Sequence, residues 1–438
     1  MIKDIEKNFR LPYLLISLIP LTLITGPAIP DISVGISCIL FIYFIFKKKI
    51  INISHNFIFY SIFFWISLIV LNLISINIYK STTESFIFLR ILLIPIIMHF
   101  WLFRSNKQIQ FVLFIIFVSN LIVIIDTLYQ FLNYDSLEGF GNDIFFREAE
   151  IYGRLSGPFL DMVPGSYISK FFIFGFIFLI LTIKDKKFLF FSSTTYLSLC
   201  GIITFISGER MALATFMLAI FLMFFLVKEY RLVFTTSFIL FIFSSFMIFK
   251  NHDHYQNYTI IESEATHLGL TIKKFKKDCA IEKECSRIIK VQPKIDVILK
   301  NFSKSAYYDA YSLAFEMFKS YPLTGIGMNN FNYGCLFKKE YKKETCWSHP
   351  HNFYLQSLTE TGLIGFSLFL IYIFLVFKIC LLNYNKNKFS KYSFVALIII
   401  FWPIMSTGSL LKNWHGIETF FIIGLCITIS NLFRIRAT

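Results

Sequence analysis

The chain has 438 residues, 56% of them hydrophobic and 19% aromatic, with 56 phenylalanines and a mean hydropathy of +0.65. Soluble domains are about half apolar, whereas here apolar runs of about 17–24 residues recur, the length a helix needs to cross a bilayer. The formal charge of +15 lies mostly in short basic clusters between those runs, a pattern that orients membrane helices and gives no support for a nucleic-acid partner.

The predicted fold is an all-α polytopic membrane protein of about twelve transmembrane helices; a β-barrel would show short alternating segments instead. The spacing predicts helices over residues 11–29, 32–46, 57–76, 86–103, 109–132, 166–183, 188–206, 211–227 and 232–249, then 354–377, 392–405 and 416–433. The second and eleventh are short for a span. The charged residues 1–10 precede an apolar run without a small-residue cleavage site, which reads as a first helix that is kept. Clusters such as Lys47–Lys49, Lys184/Lys186/Lys187 and Lys386/Lys388/Lys391 occupy every second connection. That bias places both termini in the cytoplasm.

Two longer polar segments, 133–165 and 250–351, then fall on the outer face. The chain divides on this reading into helices 1–9 over 1–249, an outer loop domain over 250–351, and helices 10–12 over 352–438. Inside the large loop, Tyr307, Tyr311, Ala314, Phe315 and Phe318 recur at helical spacing over 304–321, and Pro322 follows. The glycines of Pro322-Leu-Thr-Gly325-Ile-Gly327 mark a tight turn or a close backbone approach. Cys279, Cys285, Cys335 and Cys346 share this loop, where an oxidising compartment favours disulfides. Of three pairings, the short-range one, Cys279–Cys285 with Cys335–Cys346, is expected; a zinc site competes, without CxxC spacing to support it.

Polar residues at the ends of apolar runs are the candidates for chemistry. Arg210 ends Ser207-Gly208-Glu209-Arg210 at a helix boundary, either as a snorkelling cation or as a planar clamp for phosphate oxygens. Arg154 sits in a glycine- and proline-flanked loop, Gly153-Arg154-Leu-Ser-Gly157-Pro158. Arg90 lies one turn inside the fourth helix, as a substrate contact or as the ion-pair partner of Glu84. His349 and His351 flank Pro350 where the loop meets the next helix, with Asn352, Gln356 and Glu360 beyond them. Imidazole is the side chain suited to moving protons near neutral pH. Lys412, Trp414 and His415 form a similar, smaller group on the last connection. No GxxxxGK[ST], GxGxxG or HExxH occurs, so neither a nucleotide, a dinucleotide cofactor nor a metalloprotease-type metal is implied.

Four motifs, in order, carry a resemblance: Arg154-Leu-Ser-Gly-Pro-Phe159, Ser-Gly-Glu-Arg210, Pro322-Leu-Thr-Gly-Ile-Gly-Met-Asn-Asn-Phe331, and His351-Asn-Phe-Tyr-Leu-Gln-Ser-Leu-Thr-Glu-Thr-Gly-Leu-Ile-Gly365. The chain resembles the O-antigen ligase and O-antigen polymerase superfamily of bacterial inner membranes, most closely over 203–370. The resemblance implies a GT-C-like, metal-independent glycosyltransferase without cofactor, and it makes the outer face, with its large loop domain, periplasmic. Its donor would be an undecaprenyl-pyrophosphate-linked glycan, and its acceptor lipid A-core (a ligase) or another lipid-linked repeat (a polymerase). It puts the catalytic base on His351 and the pyrophosphate-neutralising cation on Arg210. Arg154, His349, Arg90, Lys304 and Glu360 stand as candidate substrate contacts. The ligase pattern has a further arginine where this chain reads Lys304-Ser-Ala-Tyr-Tyr-Asp309, while the ten residues between Arg154 and Gly165 match a polymerase arginine–glycine spacing; the choice stays open. A twelve-helix transporter or flippase is the alternative, with Arg90 and Arg210 lining a path, although transporters are built from repeated halves and none is visible here.

Overall fold

A computed structural model describes residues 9–47, 56–135, 139–147, 154–159, 163–256, 259–265, 271–277, 285–291, 302, 306–338, 346–404 and 406–433. The elements run α1 (Arg10–Ser17), α2 (Ile19–Thr22), α3 (Ala28–Phe46), α4 (Asn56–Asn72), α5 (Ile78–Ile96) and α6 (Asn106–Leu132). After a small hairpin, β1 (Tyr134–Asp135) and β2 (Gly139–Phe140), come α7 (Pro164–Thr182), α8 (Lys186–Ile206), α9 (Arg210–Leu226), α10 (Arg231–Asn251) and α11 (Asp253–Gln256). Next are β3 (Thr259–Ala265), β4 (Thr271–Lys277) and β5 (Cys285–Val291), then α12 (Ala306–Ser320), α13 (Phe331–Phe337), α14 (Phe353–Leu382), α15 (Ser390–Ile400) and α16 (Asn413–Leu432).

Among the described residues, eight helices are long and apolar enough to cross a membrane, and α4, α9 and α15 are shorter apolar helices. Their surfaces fit a lipid solvent. Phe59, Phe243 and Phe374 are 76%, 62% and 62% exposed, whereas a soluble protein keeps large apolar patches small. Helix α3 starts at Ala28, four residues earlier than the spacing predicts, and is long enough to span. The expected first helix is instead interrupted into α1, α2 and a 3-10 turn ending at Thr25, because Pro20 brings no N–H to continue the ladder. The expected eleventh helix stops at Ile400, ahead of Pro403, whose ring disfavours helical backbone in the residue before it. The fold is mostly helical, as an all-α polytopic membrane protein requires, and in the large loop β3-β4-β5 form an antiparallel meander. Its segments read Thr271-Ile272 and Ile288-Ile289, β-branched residues that favour strands.

The chain divides into two compact units, Met1–Ile115 with Asp309–Thr438, and Ile116–Tyr308. The division passes through α6 and α12.

In the first unit, α16 is almost wholly buried and packs on α3, α5, α14 and α15. Helix α14 is broken at Gly362, whose φ of +62° and ψ of −170° are open to glycine at little cost. The break frees two backbone donors and two acceptors, which in a membrane protein must find partners. Leu363 and Ile364 donate to the carbonyls of Pro322 and Leu323 at 2.9 and 3.2 Å, and Ile326 and Gly327 donate back to those of Thr359 and Glu360 at 3.0 and 2.9 Å. The Pro322–Gly327 turn thus substitutes for one missing turn of helix. Its far side docks between α4 and α5, where Met328 N–H donates to Asn72 Oδ1 at 3.0 Å and Ser81 Oγ donates to the Met328 carbonyl at 3.1 Å. Helix α12 covers the same turn, but its buried stripe is Ala310, Leu313, Ala314 and Met317. Phe315, expected on that face, is 48% exposed.

In the second unit, α7, α8, α9 and α10 pack together. The end of α6 grips the first polar loop: Gln130 Oε1 accepts from the N–H groups of Ser156 and Gly157 at 3.0 and 2.9 Å. Asp126 Oδ1 likewise accepts from Ile144 N–H at 2.8 Å.

Candidate functional site

The histidine segment of the first unit is held by covalent, apolar and polar ties. Cys335 and Cys346 form the expected disulfide, with Cα atoms 5.6 Å apart. That bond removes the four-cysteine zinc reading; Cys279 lies outside the described residues, and with it the second expected pair. Asn332 Nδ2 donates to the carbonyls of Cys346 and Trp347, both at 3.2 Å, and those two residues pack on the core of Leu313, Met317 and Phe331. The loop is thereby delivered rigidly to Ser348.

From there Thr407 braces three successive points. Its carbonyl faces His349 Nε2 at 3.3 Å, its N–H donates to the His351 carbonyl at 2.8 Å, and its hydroxyl accepts from Phe353 N–H at 3.0 Å. Asn352 caps α14 by accepting from Leu355 N–H at 3.0 Å.

The two histidines differ in kind. His349 is buried. A carbonyl can only accept, so its Nε2 carries the proton toward Thr407, which leaves Nδ1 to accept from Ser348 Oγ at 2.8 Å. Lys412 Nζ donates in turn to that hydroxyl at 3.4 Å. Both ring nitrogens are committed within the loop, and burial, then His351 and Lys412, push the pKa down to about 3. The His351 ring lies tilted to that of His349, centroids 4.5 Å apart, and edge-on to Trp347 at 5.3 Å, and is less buried. Its backbone sits at φ +52°, a left-handed conformation that costs energy for a non-glycine residue and collects at functional sites. Burial and the nearby Lys412 ammonium push its pKa below the ordinary histidine value. Both effects favour the neutral ring, the form in which an imidazole can accept a proton.

Arg90 and Glu360 belong to this unit too. Arg90 pairs with Asp31 at 2.8 Å, not with Glu84, and donates to Asn413 Oδ1 at 2.9 Å, tying α3, α5 and α16 together. Glu84 accepts from Asn329 Nδ2 at 2.9 Å. Glu360 is 2% exposed and accepts from Gln356 Nε2 at 3.1 Å, and the backbone of Asn329 and Phe331 acts on its carboxylate. Its carboxylate faces the turn.

The arginines of the second unit form their own group. Gly208, at φ +74°, lets the Ser-Gly-Glu-Arg run fold back against Arg154, whose Cγ would lie 3.5 Å from a Cβ placed there. The charge of Arg154 acts on Arg210, and so does Tyr307. Between the motifs lies Glu209, which sequence reasoning passed over. Its carboxylate accepts from the N–H groups of Gly165 and Ser166 at 2.7 and 3.1 Å, capping the start of α7. Burial pushes that carboxyl up to about 7, against the pull of those N–H groups, Arg154 and Lys170. A side chain at Gly165 would strike Ser207 Oγ, and Glu209 Oε1 at 2.9 Å. The Arg154–Gly165 spacing thus has a physical origin: both residues abut one motif. Glu209 and Thr407 were legible only as polar residues at helix ends, because they act on backbone.

The structure therefore brings together His349, His351 and Lys412 in one unit and Arg154 and Arg210 in the other, while Lys304 lies outside the described residues. Among the described residues no group of three His, Cys, Asp or Glu is placed to hold a metal ion. No curated protein matches the chain. Residues 195–370, which run from before Arg210 through the Pro322–Gly327 turn to beyond His351, match the family model described as O-antigen ligase, a match that supports the O-antigen ligase and polymerase superfamily.

Proposed function

We propose that the chain moves an oligosaccharide from undecaprenyl pyrophosphate to an acceptor hydroxyl at the periplasmic face of the bacterial inner membrane. The observation that carries this reading is the O-antigen ligase match, which spans both Arg210 and His351. In the reaction the acceptor oxygen attacks the anomeric carbon as His351 removes its proton. The bond from that carbon to the pyrophosphate oxygen breaks, and the leaving group departs on its lipid carrier. Arg210, with Arg154 beside it, neutralises the charge that develops there, a task suited to a fixed guanidinium in a water-poor site. Glu360, buried against the turn, and His349, committed to Ser348 and Thr407, hold the segment that carries His351. Arg90, paired with Asp31, is assigned to the acceptor side.

A purified transfer assay tests the assignment. His351→Ala is expected to lower kcat by about 10²–10⁴-fold, the usual contribution of a general base. Arg210→Ala is expected to weaken donor use, and Arg210→Lys to restore it only partly, since an ammonium lacks the fork. Full activity of either alanine variant would reject its role. A deletion strain separates the two acceptors: one uncapped repeat on lipid A-core marks a lost polymerase, and bare core with long lipid-linked chains a lost ligase.

A further inference from the structure

The first unit holds a cavity of about 460 Å³, inside the 300–1,000 Å³ typical of small-molecule sites. Its polar lining includes Asp31, Glu84, Arg90, Asn329, Ser348 and Lys412. Two carboxyl groups face two cations, so the lining is close to electrically balanced. A pyrophosphate, which offers only acceptors, would meet Asp31 and Glu84 as like charges. A sugar hydroxyl both donates and accepts, and this wall supplies carboxylate acceptors beside guanidinium, ammonium and amide donors.

The donors and acceptors are also held in place. Arg90 Nε is fixed on Asp31 at 2.8 Å, Asn329 Nδ2 on Glu84 at 2.9 Å, and Lys412 on Ser348 at 3.4 Å. Oriented groups of this kind lose little entropy when a ligand arrives. Ser348 connects the wall to the histidines, since it is hydrogen-bonded to His349, whose ring lies 4.5 Å from His351. Asn329 connects it to the turn that completes broken helix α14.

We propose that this cavity is the subsite for the acceptor sugar: it binds a neutral, hydroxyl-rich saccharide unit and presents one hydroxyl to His351. The proposal rests on the glycan-transfer reading and adds to it the class of ligand and the residues that select it. Glu84 and Asn329 would receive and supply hydrogen bonds on one wall, and Lys412 on the other.

The test uses the full chain in lipid nanodiscs, with donor and acceptor concentrations varied separately. Extracted lipid A-core and lipid-linked repeat unit serve as acceptors in two arms. Glu84→Gln and Lys412→Gln are each expected to raise KM for the acceptor about 10- to 100-fold, as for a lost hydrogen bond to a charged group, with donor KM unchanged. A rise confined to donor KM, or no change in either, overturns the proposal. Lys412 lies outside any helix, so its variant guards against misfolding of the Glu84 one. Calorimetry with the delipidated acceptor glycans separates this proposal from the activity itself. If wild-type protein binds those glycans but transfers nothing, and Glu84→Gln loses the binding, the subsite stands while the transfer reading fails. If wild-type protein binds neither glycan, the subsite is rejected.

Discussion

His351 and His349 stand two residues apart, yet the fold gives them opposite states. Sequence pattern located both, because two imidazoles at the junction of a polar loop and an apolar helix are conspicuous. It could not separate them by environment, since the difference lies in Ser348 and in Thr407, 58 positions beyond His349. Glu209 escaped notice for a related reason: its partners are the main-chain N–H groups of Gly165 and Ser166, which no side-chain motif advertises. The lowered His351 pKa has a kinetic consequence. Protonation removes the base, so activity must fall on the acid side of its titration. Because burial and Lys412 disfavour the charged ring, that titration lies below the ordinary value of about 6.5. The acid limb of kcat/KM for the acceptor is therefore expected below pH 6.5, and Lys412→Gln should move it upward. A limb at or above 6.5 that is insensitive to Lys412 would mean that another group titrates.

At the scale of elements, the glycines of the Pro322–Gly327 turn correctly marked a close backbone approach. What they approach was hidden, because residues 354–377 read as one uninterrupted apolar helix. The two features explain each other. Helix α14 can break at Gly362 only where another segment supplies its displaced hydrogen bonds, and the turn can sit deep only where it finds them. An added side chain tests this exchange. At Gly362 a Cβ would strike the Leu323 carbonyl, with Thr324 N at 2.5 Å, and φ is already +62°. The backbone term alone costs on the order of 1–3 kcal/mol, and the collision with main chain adds to it. Gly35, in α3, has nothing within 4 Å of its Cβ position, so alanine there is neutral or gains up to about 1 kcal/mol. Thermal unfolding of the two variants in nanodiscs should show Gly362→Ala clearly destabilised and Gly35→Ala not. Equal melting temperatures would remove the case for the exchange.

For the whole molecule, composition and apolar run length were enough to identify a polytopic membrane protein, but they misjudged how its last helices cross. Helix α15 has 11 residues, and at 1.5 Å per residue it covers about 16 Å of a hydrocarbon core of roughly 30 Å. The basic residues Lys386 and Lys388 before α15, Lys391 in its first turn, and Arg434/Arg436 after residue 433 nevertheless call for two crossings between them. Non-helical backbone is tolerated at membrane depth where protein satisfies its polar groups. That condition is met after Ile400: Tyr354 Oη donates to the Phe401 carbonyl at 2.7 Å, Asn352 Nδ2 to the Pro403 carbonyl at 3.0 Å, and Thr407 binds the histidine segment. The loop that presents His351 would then also complete a membrane crossing, which explains why so many of its hydrogen bonds are spent on the segment beyond α15. Reporter fusions decide the matter. Fusions after Lys386 and after Phe433 are expected to report the cytoplasmic side, and fusions after Gln256 and after Ser409 the periplasmic side. A fusion after Ser409 on the same side as Lys386 would show that α15 turns back within the bilayer, and would place the C-terminus opposite to the position that the basic residues require.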